Sequence, residues 1–184
     1  MIENREHSGN RKQVKILLNI GIISAFATLS FVGTTAIRIP IPATGGYFNI
    51  GDTFVFVSAL LYGPIIGLFV GMIGPAFADA IGFPQFVFAT AVVKGFEGLV
   101  IGIISKKNDN NMVVFLSLLV GIFILVAGYF IFEAYIYTEL GKSIQFFAVT
   151  DYNAAIAEIL PNTLQGVFSA VLAFAIWKLF QGKK

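Results

Sequence analysis

The lysines and arginines of this chain are divided unevenly among the segments that separate its long apolar stretches. Nine of the twelve are Arg5, Arg11, Lys12, Lys15, Lys106, Lys107, Lys178, Lys183 and Lys184. These nine precede the first stretch, follow the fourth or end the chain, whereas only Arg38 and Lys142 fall in the alternate segments and Lys94 lies inside a stretch. Because positively charged loops stay on the cytoplasmic side of a membrane, the asymmetry predicts a polytopic membrane protein with both termini in the cytoplasm.

The composition leaves little room for anything besides membrane helices. Of the 184 residues, 57% are hydrophobic and 12% are charged, whereas soluble domains have about 25% charged residues. Six spans of roughly 20 residues would fill about two thirds of the chain. We therefore expect an all-α six-helix bundle in the cell membrane, covering residues 16–180 between cytoplasmic tails at 1–15 and 181–184. The net charge of +2 lies in terminal segments, which does not favour a nucleic-acid surface.

Proline and glycine residues divide the apolar sequence into six predicted spans. These run from about 16 to 37, 47 to 62, 64 to 81, 85 to 105, 112 to 132 and 154 to 180. Spans two and three could instead form one helix from Asp52 to Ala80, kinked at Pro64. Because that five-span alternative would place the later clusters of lysines outside, we favour six spans with an inner turn at Gly63-Pro64.

The first stretch has a second interpretation, as a cleaved secretory signal. Basic residues precede it, and Ala25-Phe26-Ala27 resembles a cleavage site. However, the apolar character continues to Ile37, which is too long for the apolar region of a signal peptide. We therefore expect an uncleaved first helix.

Ionisable and amide side chains inside the spans gather towards the predicted outer end. Lys94 and Glu97 are three residues apart in span four, and Glu158, Asn162 and Gln165 share one face of span six. A charged residue at the centre of a span costs about 2.5–3.5 kcal/mol, so such residues are usually paired or face a cavity. A self-neutralising Lys94–Glu97 pair is the structural alternative, but buried pairs often add no stability, and we favour a functional role.

Other polar residues are predicted at the same outer level. They are Asn49, Asp52, Asp79, Gln85, Thr90, Tyr129, Glu133, Asp151, Tyr152 and Asn153. Together with the abundant aromatic residues, they predict an outward-opening pocket for a small, planar heteroaromatic compound that stacks and hydrogen-bonds. The arrangement lacks the rings of like groups expected of an ion pore.

Small residues recur at spacings of three and four in spans one, three and four. Examples are Gly21 and Ala25 in span one, and Gly67 and Gly71 in span three. Such stripes let another helix approach closely. They predict either packing within the bundle or a docking face for another membrane subunit.

The chain has few residues suited to catalysis or to nucleotide use. It has no cysteine, and its single histidine, His7, lies in the predicted tail, so we expect no metal site and no thiol chemistry. Gly141-Lys142-Ser143 ends like a phosphate-binding loop, but Ile136 occupies the position of the required first glycine. We expect no cofactor and no enzymatic activity. An intramembrane enzyme using Lys94 and Glu97 as acid and base is the catalytic alternative.

Five segments together resemble a known family. They are GYFNIGD at 46–52, LLYGPIIG at 60–67, the segment 71–79, VKGFEG at 93–98 and LPNTLQ at 160–165. In order and spacing they resemble the S components of energy-coupling factor (ECF) transporters, most closely the riboflavin-type branch. The resemblance implies a six-helix subunit that captures a water-soluble vitamin or vitamin precursor from outside. A transmembrane T component and two cytosolic ATPases would then deliver the substrate inward.

The resemblance also implies roles for individual residues. The matching substrate-binding positions are Asn49, Lys94, Glu97, Glu158, Asn162 and Gln165. The positions that would dock the T component are Gly21, Ala25, Gly67 and Gly71. A self-sufficient permease or channel is the alternative function, although no internal repeat is evident that would favour it.

Overall fold

A computed structural model describes residues 2–41, 46–106, 110–148 and 150–181. Over these ranges the chain forms a helical bundle with one short β-hairpin. Its elements are α1 (Ile2–Ala36), β1 (Ile39–Ile41), β2 (Gly46–Phe48), α2 (Asp52–Tyr62), α3 (Pro64–Gly82), α4 (Val87–Ser105), α5 (Asn111–Ile131), α6 (Thr138–Gly141) and α7 (Tyr152–Gln181). A π-helix at Phe132–Tyr137 joins α5 to α6, and short 3₁₀ turns lie at Pro84–Phe86 and Gln145–Phe147.

Five helical segments are long and apolar enough to cross a membrane. They are Asn10–Ala36, Pro64–Gly82, Pro84–Ser105, Asn111–Gly141 and Tyr152–Gln181. Helix α2 is also apolar but has only 11 residues. It is therefore about 16 Å long, whereas the hydrocarbon core of a membrane is about 30 Å thick. The expected all-α membrane bundle is therefore confirmed, with one helix that is too short to span alone.

The predicted start of span two was wrong. Residues 46–48 do not begin a helix, because they pair as β2 with β1 in antiparallel register. The helix begins only at Asp52. The hairpin closes over the end of the bundle at which α1 ends and α2, α4 and α7 begin. We call this the outer end, and the opposite end, which carries Lys106 and Lys178, the inner end.

The break between α2 and α3 confirms two helices in place of one kinked helix. Gly63 has φ of 90°, a conformation that glycine adopts without steric cost. Its N–H donates to the carbonyl of Ala59 (3.0 Å), and Pro64 follows as the first residue of α3, where a missing N–H is harmless. The chain therefore reverses at this point.

Two other helices are longer than predicted. Helix α1 begins at Ile2, so most of the predicted N-terminal tail is helical. Span five was expected to end near Phe132. Instead the π-helix and α6 continue it to Gly141, so Glu133 lies on a helix.

The inner half of the bundle holds an apolar core. Its buried members are Val55, Phe56, Val57, Ala59, Ile66, Val70, Ile101, Val114, Leu118, Ala170, Ala173 and Trp177, from α2, α3, α4, α5 and α7. A smaller cluster of Phe86, Ala89, Val93, Phe132 and Tyr137 joins α4 to the π-helix near the outer end. The large core leaves the polar side chains of the spans to meet above it.

Candidate functional site

A polar cavity of about 50 Å³ lies at the outer end of the bundle. It is lined by Thr34, Tyr47, Asn49, Asp52, Pro75, Asp79, Phe86, Thr90, Lys94, Tyr129, Glu133, Glu158, Asn162 and Gln165. A buried water needs roughly 10–15 Å³ of such space, so this volume holds a few waters. A vitamin-sized ligand would need the lining side chains or the hairpin to move outward.

One carboxylate, Asp52, connects three elements of the cavity wall. As the first residue of α2 it is almost completely buried, and its Oδ2 lies 2.5 Å from Nζ of Lys94 on α4. Gln165 on α7 donates from Nε2 to the same oxygen (2.8 Å). The Oε1 of Gln165 accepts hydrogen bonds from the backbone N–H (2.8 Å) and side-chain amide (3.0 Å) of Asn49. This network ties the segment after the hairpin to the helices beneath it.

Glu97 does not line the cavity, unlike the other five predicted binding residues. It is fully buried, its Oε2 lies 3.9 Å from Nζ of Lys94, and neither carboxylate oxygen has a hydrogen-bond donor within the described part of the protein. The 3.9 Å separation exceeds hydrogen-bond length. Lys94 therefore bonds to Asp52, and the predicted Lys94–Glu97 pair is the longer of its two contacts.

A second hydrogen-bonded group closes the outer side of the cavity. Both oxygens of Asp79 accept a hydroxyl donor: Tyr47 from β2 donates to Oδ1, and Thr90 from α4 donates to Oδ2 (2.5 Å). The hydroxyl of Tyr129 lies 2.8 Å from that of Thr90. Burial, followed by the negative charge of Asp79, raises the pKa of the Tyr47 phenol. Tyr47 therefore stays a proton donor at physiological pH.

Arg38, which is half-buried, contacts the hairpin at Tyr47. Its guanidinium donates to the carbonyl of Ala78 (2.7 Å) and lies 4.9 Å from the centre of the Tyr47 ring. The Tyr47 ring in turn stacks on Phe83 at 4.7 Å. Cation–π contacts of this kind contribute about 0.5–1 kcal/mol at exposed sites, so the stack fixes Tyr47 above the cavity.

The π-helix brings a carboxylate into the cavity wall. Glu133 is 5% exposed, and its Oε2 has no hydrogen-bond donor among the described residues. Glu158 on α7 lines the same cavity. Farther along the π-helix, the hydroxyl of Tyr137 accepts a hydrogen bond from the backbone N–H of Ala89 (3.3 Å) and anchors this turn to α4. π-helical turns are rare in proteins, and those that occur are often found at functional sites.

The structure thus brings together Asn49, Lys94, Glu158, Asn162 and Gln165. The cavity is also lined by Asp52, Asp79, Thr90, Tyr129 and Glu133. The sequence predicts these residues at the outward-opening pocket, but they are not among the predicted substrate-binding residues. Four further lining residues were not predicted at the site: Thr34, Tyr47, Pro75 and Phe86. The signal that could have found Asp52 is a lone carboxylate at a span end in a chain whose only intramembrane cation, Lys94, needs a partner.

The four predicted docking residues fall into two environments. Gly21 has open space around it, and Ala25 is exposed on the same helix. Gly67 and Gly71 are buried against the backbone of α4: a Cβ on Gly67 would lie 2.6 Å from the carbonyl oxygen of Gly98, and one on Gly71 would collide with the carbonyl of Lys94. In this conformation, the two glycines of α3 pack against α4 within the bundle.

Within the described ranges, no group of three or more His, Cys, Asp or Glu residues is arranged to hold a metal ion. The polar groups of the cavity are amides, hydroxyls, carboxylates and one amine. Such a set can bind a small molecule by hydrogen bonds and charge.

Comparisons with known proteins give a consistent result. A family model described as the S component of an ECF-type riboflavin transporter matches residues 11–181. An uncharacterized protein from Pyrococcus woesei is 39% identical over 116 residues, which are 63% of this chain and 78% of that protein. A UPF0397 protein of Streptococcus thermophilus is 31% identical over 132 residues, which are 71% of this chain and 67% of that protein. A UPF0397 protein of Clostridium perfringens is 34% identical over 109 residues, 58% and 56% of the two chains.

Proposed function

The chain belongs to the family of S components of ECF-type riboflavin transporters, and on this premise we propose that it captures a water-soluble vitamin or vitamin precursor from outside the cell. Members of this family are membrane-embedded transporter subunits and not enzymes. A T component and two ATPases would couple the captured solute to ATP hydrolysis.

The observation that carries this proposal is the division of the bundle into a polar outer half and an apolar inner half. The cavity meets the network of Asp52, Lys94 and Gln165 at its base, and the apolar core that contains Phe56 and Trp177 lies beneath. A bundle built this way can hold a polar solute at one end, whereas a permease needs a polar route through both halves. Delivery therefore requires a conformational change that partner subunits would supply.

The docking proposal now rests on α1. Its face with Gly21 and Ala25 is exposed along the membrane-spanning part of the helix, together with apolar residues such as Leu17 and Leu18. Small residues on such a face allow the close helix approach that drives association in membranes. We propose this surface for the T component.

The direct test is mass spectrometry of small molecules that co-purify with the detergent-solubilised protein. We expect one vitamin-like heteroaromatic compound at about one molecule per chain. Uptake of that compound into proteoliposomes should require the T component, both ATPases and ATP. Uptake by this chain alone would identify a self-sufficient permease and contradict the proposal.

A further inference from the structure

A second cavity, of about 260 Å³, lies at the inner end of the bundle. Helix α2 ends there at Tyr62, and Gly63, which has no side chain, forms the turn into α3. The ends of α4 and α7 provide the other walls, through Lys106 and Trp177 among others. This inner cavity is larger than the outer one of about 50 Å³, and the proposed capture of a solute from outside makes no use of it.

The residues that line the inner cavity carry groups that can donate hydrogen bonds. They provide an ammonium, an indole N–H, two hydroxyls and an amide, from Lys106, Trp177, Ser105, Tyr62 and Gln181. No Asp or Glu is among the lining residues that the structure describes, whereas four carboxylates line the outer cavity. The inner cavity is therefore suited to an anion.

Lys106 provides the positive charge of this cavity. It directly follows α4, where a cation is favoured by the partial negative charge of the helix end. Its Cδ lies 4.0 Å from the position that a Cβ on Gly63 would occupy, so the side chain crosses the turn between α2 and α3. Among the described residues its ammonium has no carboxylate or hydrogen-bond partner, whereas Lys178 bonds to Asn111 (2.7 Å). Lys106 is therefore free to bind an anion from outside the chain.

Aromatic residues connect this cavity with the membrane. Tyr62 and Phe180 are 47% and 52% exposed at its edge, whereas Trp177 is buried in its wall. Tyrosine and tryptophan are enriched at membrane–water interfaces, and the distribution of lysines predicts that this end of the bundle faces the cytoplasm. The cytoplasmic leaflet is rich in anionic lipids, and basic pockets between helices on that side bind their headgroups.

We propose that the inner cavity binds the phosphate headgroup of an anionic phospholipid from the cytoplasmic leaflet. Lys106 pairs with the phosphate, and the exposed rings of Tyr62 and Phe180 contact the acyl chains. The lipid occupies the space that the short helix α2 and the glycine turn leave open between the ends of α4 and α7.

The test uses Trp177 as its reporter, because this residue lines the cavity and is the only tryptophan of the chain. The full chain is reconstituted in phosphatidylcholine nanodiscs that contain increasing fractions of phosphatidylglycerol or phosphatidylcholine with brominated acyl chains, which quench tryptophan fluorescence on contact. We expect half-maximal quenching at an about fivefold lower fraction of the brominated phosphatidylglycerol, which is the effect of one cation near an anionic surface. Equal quenching by the two brominated lipids would overturn the proposal.

Substitutions of Lys106 test its role in the lipid preference. Lys106→Gln should remove the preference for phosphatidylglycerol, and Lys106→Arg should keep it. Lys15→Gln is the matched control, because Lys15 is exposed on α1 and does not line the cavity. An unchanged preference in Lys106→Gln, or an equal loss in Lys15→Gln, would indicate general attraction of anionic lipid and overturn the site.

Inorganic phosphate distinguishes a lipid headgroup from a free anion. Millimolar phosphate should leave the quenching by brominated phosphatidylglycerol unchanged. Displacement of the lipid by phosphate would identify a site for a soluble anion and overturn the phospholipid as its ligand. Because these experiments contain no transported solute, their outcome is independent of the proposed capture function.

Discussion

Lys94 Nζ lies 2.5 Å from Asp52 Oδ2, although the two residues are 42 positions apart in the sequence and lie on different helices. Both side chains are 3% exposed or less. The contact joins α2 to α4 at the base of the cavity, and Gln165 adds α7 to the same carboxylate. A ligand that reached Asp52 would therefore affect three helices at once.

Lys94→Ala should destabilise the bundle in addition to weakening ligand binding. The substitution leaves the Asp52 charge buried with Gln165 as its remaining donor, and breaking a buried pair costs about 3–5 kcal/mol. The measurement is unfolding in detergent followed by the fluorescence of Trp177, the only tryptophan of the chain. The double variant Asp52→Asn/Lys94→Met should recover most of the loss, since no buried charge is left; simple addition of two losses would contradict the pairing.

Glycine substitutions should separate internal packing from partner docking. Gly71→Leu would drive a side chain into the α4 backbone at Lys94, so we expect loss of folded protein. Gly21→Leu meets open space and should keep both stability and ligand binding while it lowers the yield of complex with the T component. Co-purification with a tagged T component measures the second effect. Wild-type complex yield for Gly21→Leu would remove α1 as the docking face.

Tyr47→Phe should loosen the hairpin over the cavity. The substitution removes a hydrogen bond to the Asp79 carboxylate, and bonds to charged groups contribute about 1.5–3 kcal/mol. We expect ligand dissociation to accelerate by roughly tenfold or more. Tyr135→Phe is the control, because that ring is 56% exposed and lies outside the cavity lining. Equal dissociation rates in the two variants would show that the hairpin does not retain the ligand.

Alkaline pH should weaken the same closure. The pKa of Tyr47 is raised by burial and by Asp79, whereas an unfolded tyrosine titrates near pH 10. A raised folded pKa means that the contribution to stability is complete below about pH 10 and is lost as the pH rises towards the folded pKa. Melting temperatures measured from neutral to alkaline pH should therefore fall less steeply in Tyr47→Phe than in the wild type. Parallel curves would indicate that Tyr47 is not buried beside Asp79.

The helices could be predicted from the sequence because their signals are local. Apolar runs, Gly63-Pro64 and the distribution of lysines identified the bundle and the reversal between α2 and α3. The hairpin was missed because Gly46–Phe48 is apolar enough to extend span two, and only its pairing with Ile39–Ile41 makes it a strand. The continuation of span five was missed because the apolar run ends near Phe132, whereas the π-helical turn that follows is anchored by the hydrogen bond between Tyr137 and Ala89 of α4.

The site was predicted less completely than the fold, because hydrogen-bond partners depend on which helices meet. Helical spacing correctly placed Glu158, Asn162 and Gln165 on one face. Helical spacing also suggested Glu97 as the partner of Lys94. However, a carboxylate from another helix can bond to the same lysine, and the sequence does not show which helices meet. Lys94 bonds to Asp52 because that carboxylate, which comes from α2, lies at hydrogen-bond distance, whereas Glu97 is farther away.

The glycines between α3 and α4 make this helix contact different from the contact between the hairpin and α7. Gly67 and Gly98 bring the two backbones together with no side chain between them, so a methyl group at either position would push the helices apart. Where the hairpin meets α7, by contrast, the contact is made by hydrogen bonds from Asn49 to Gln165. Hydrogen bonds of this kind can be exchanged one at a time with water or a ligand, whereas the glycine contacts between α3 and α4 depend on close backbone packing.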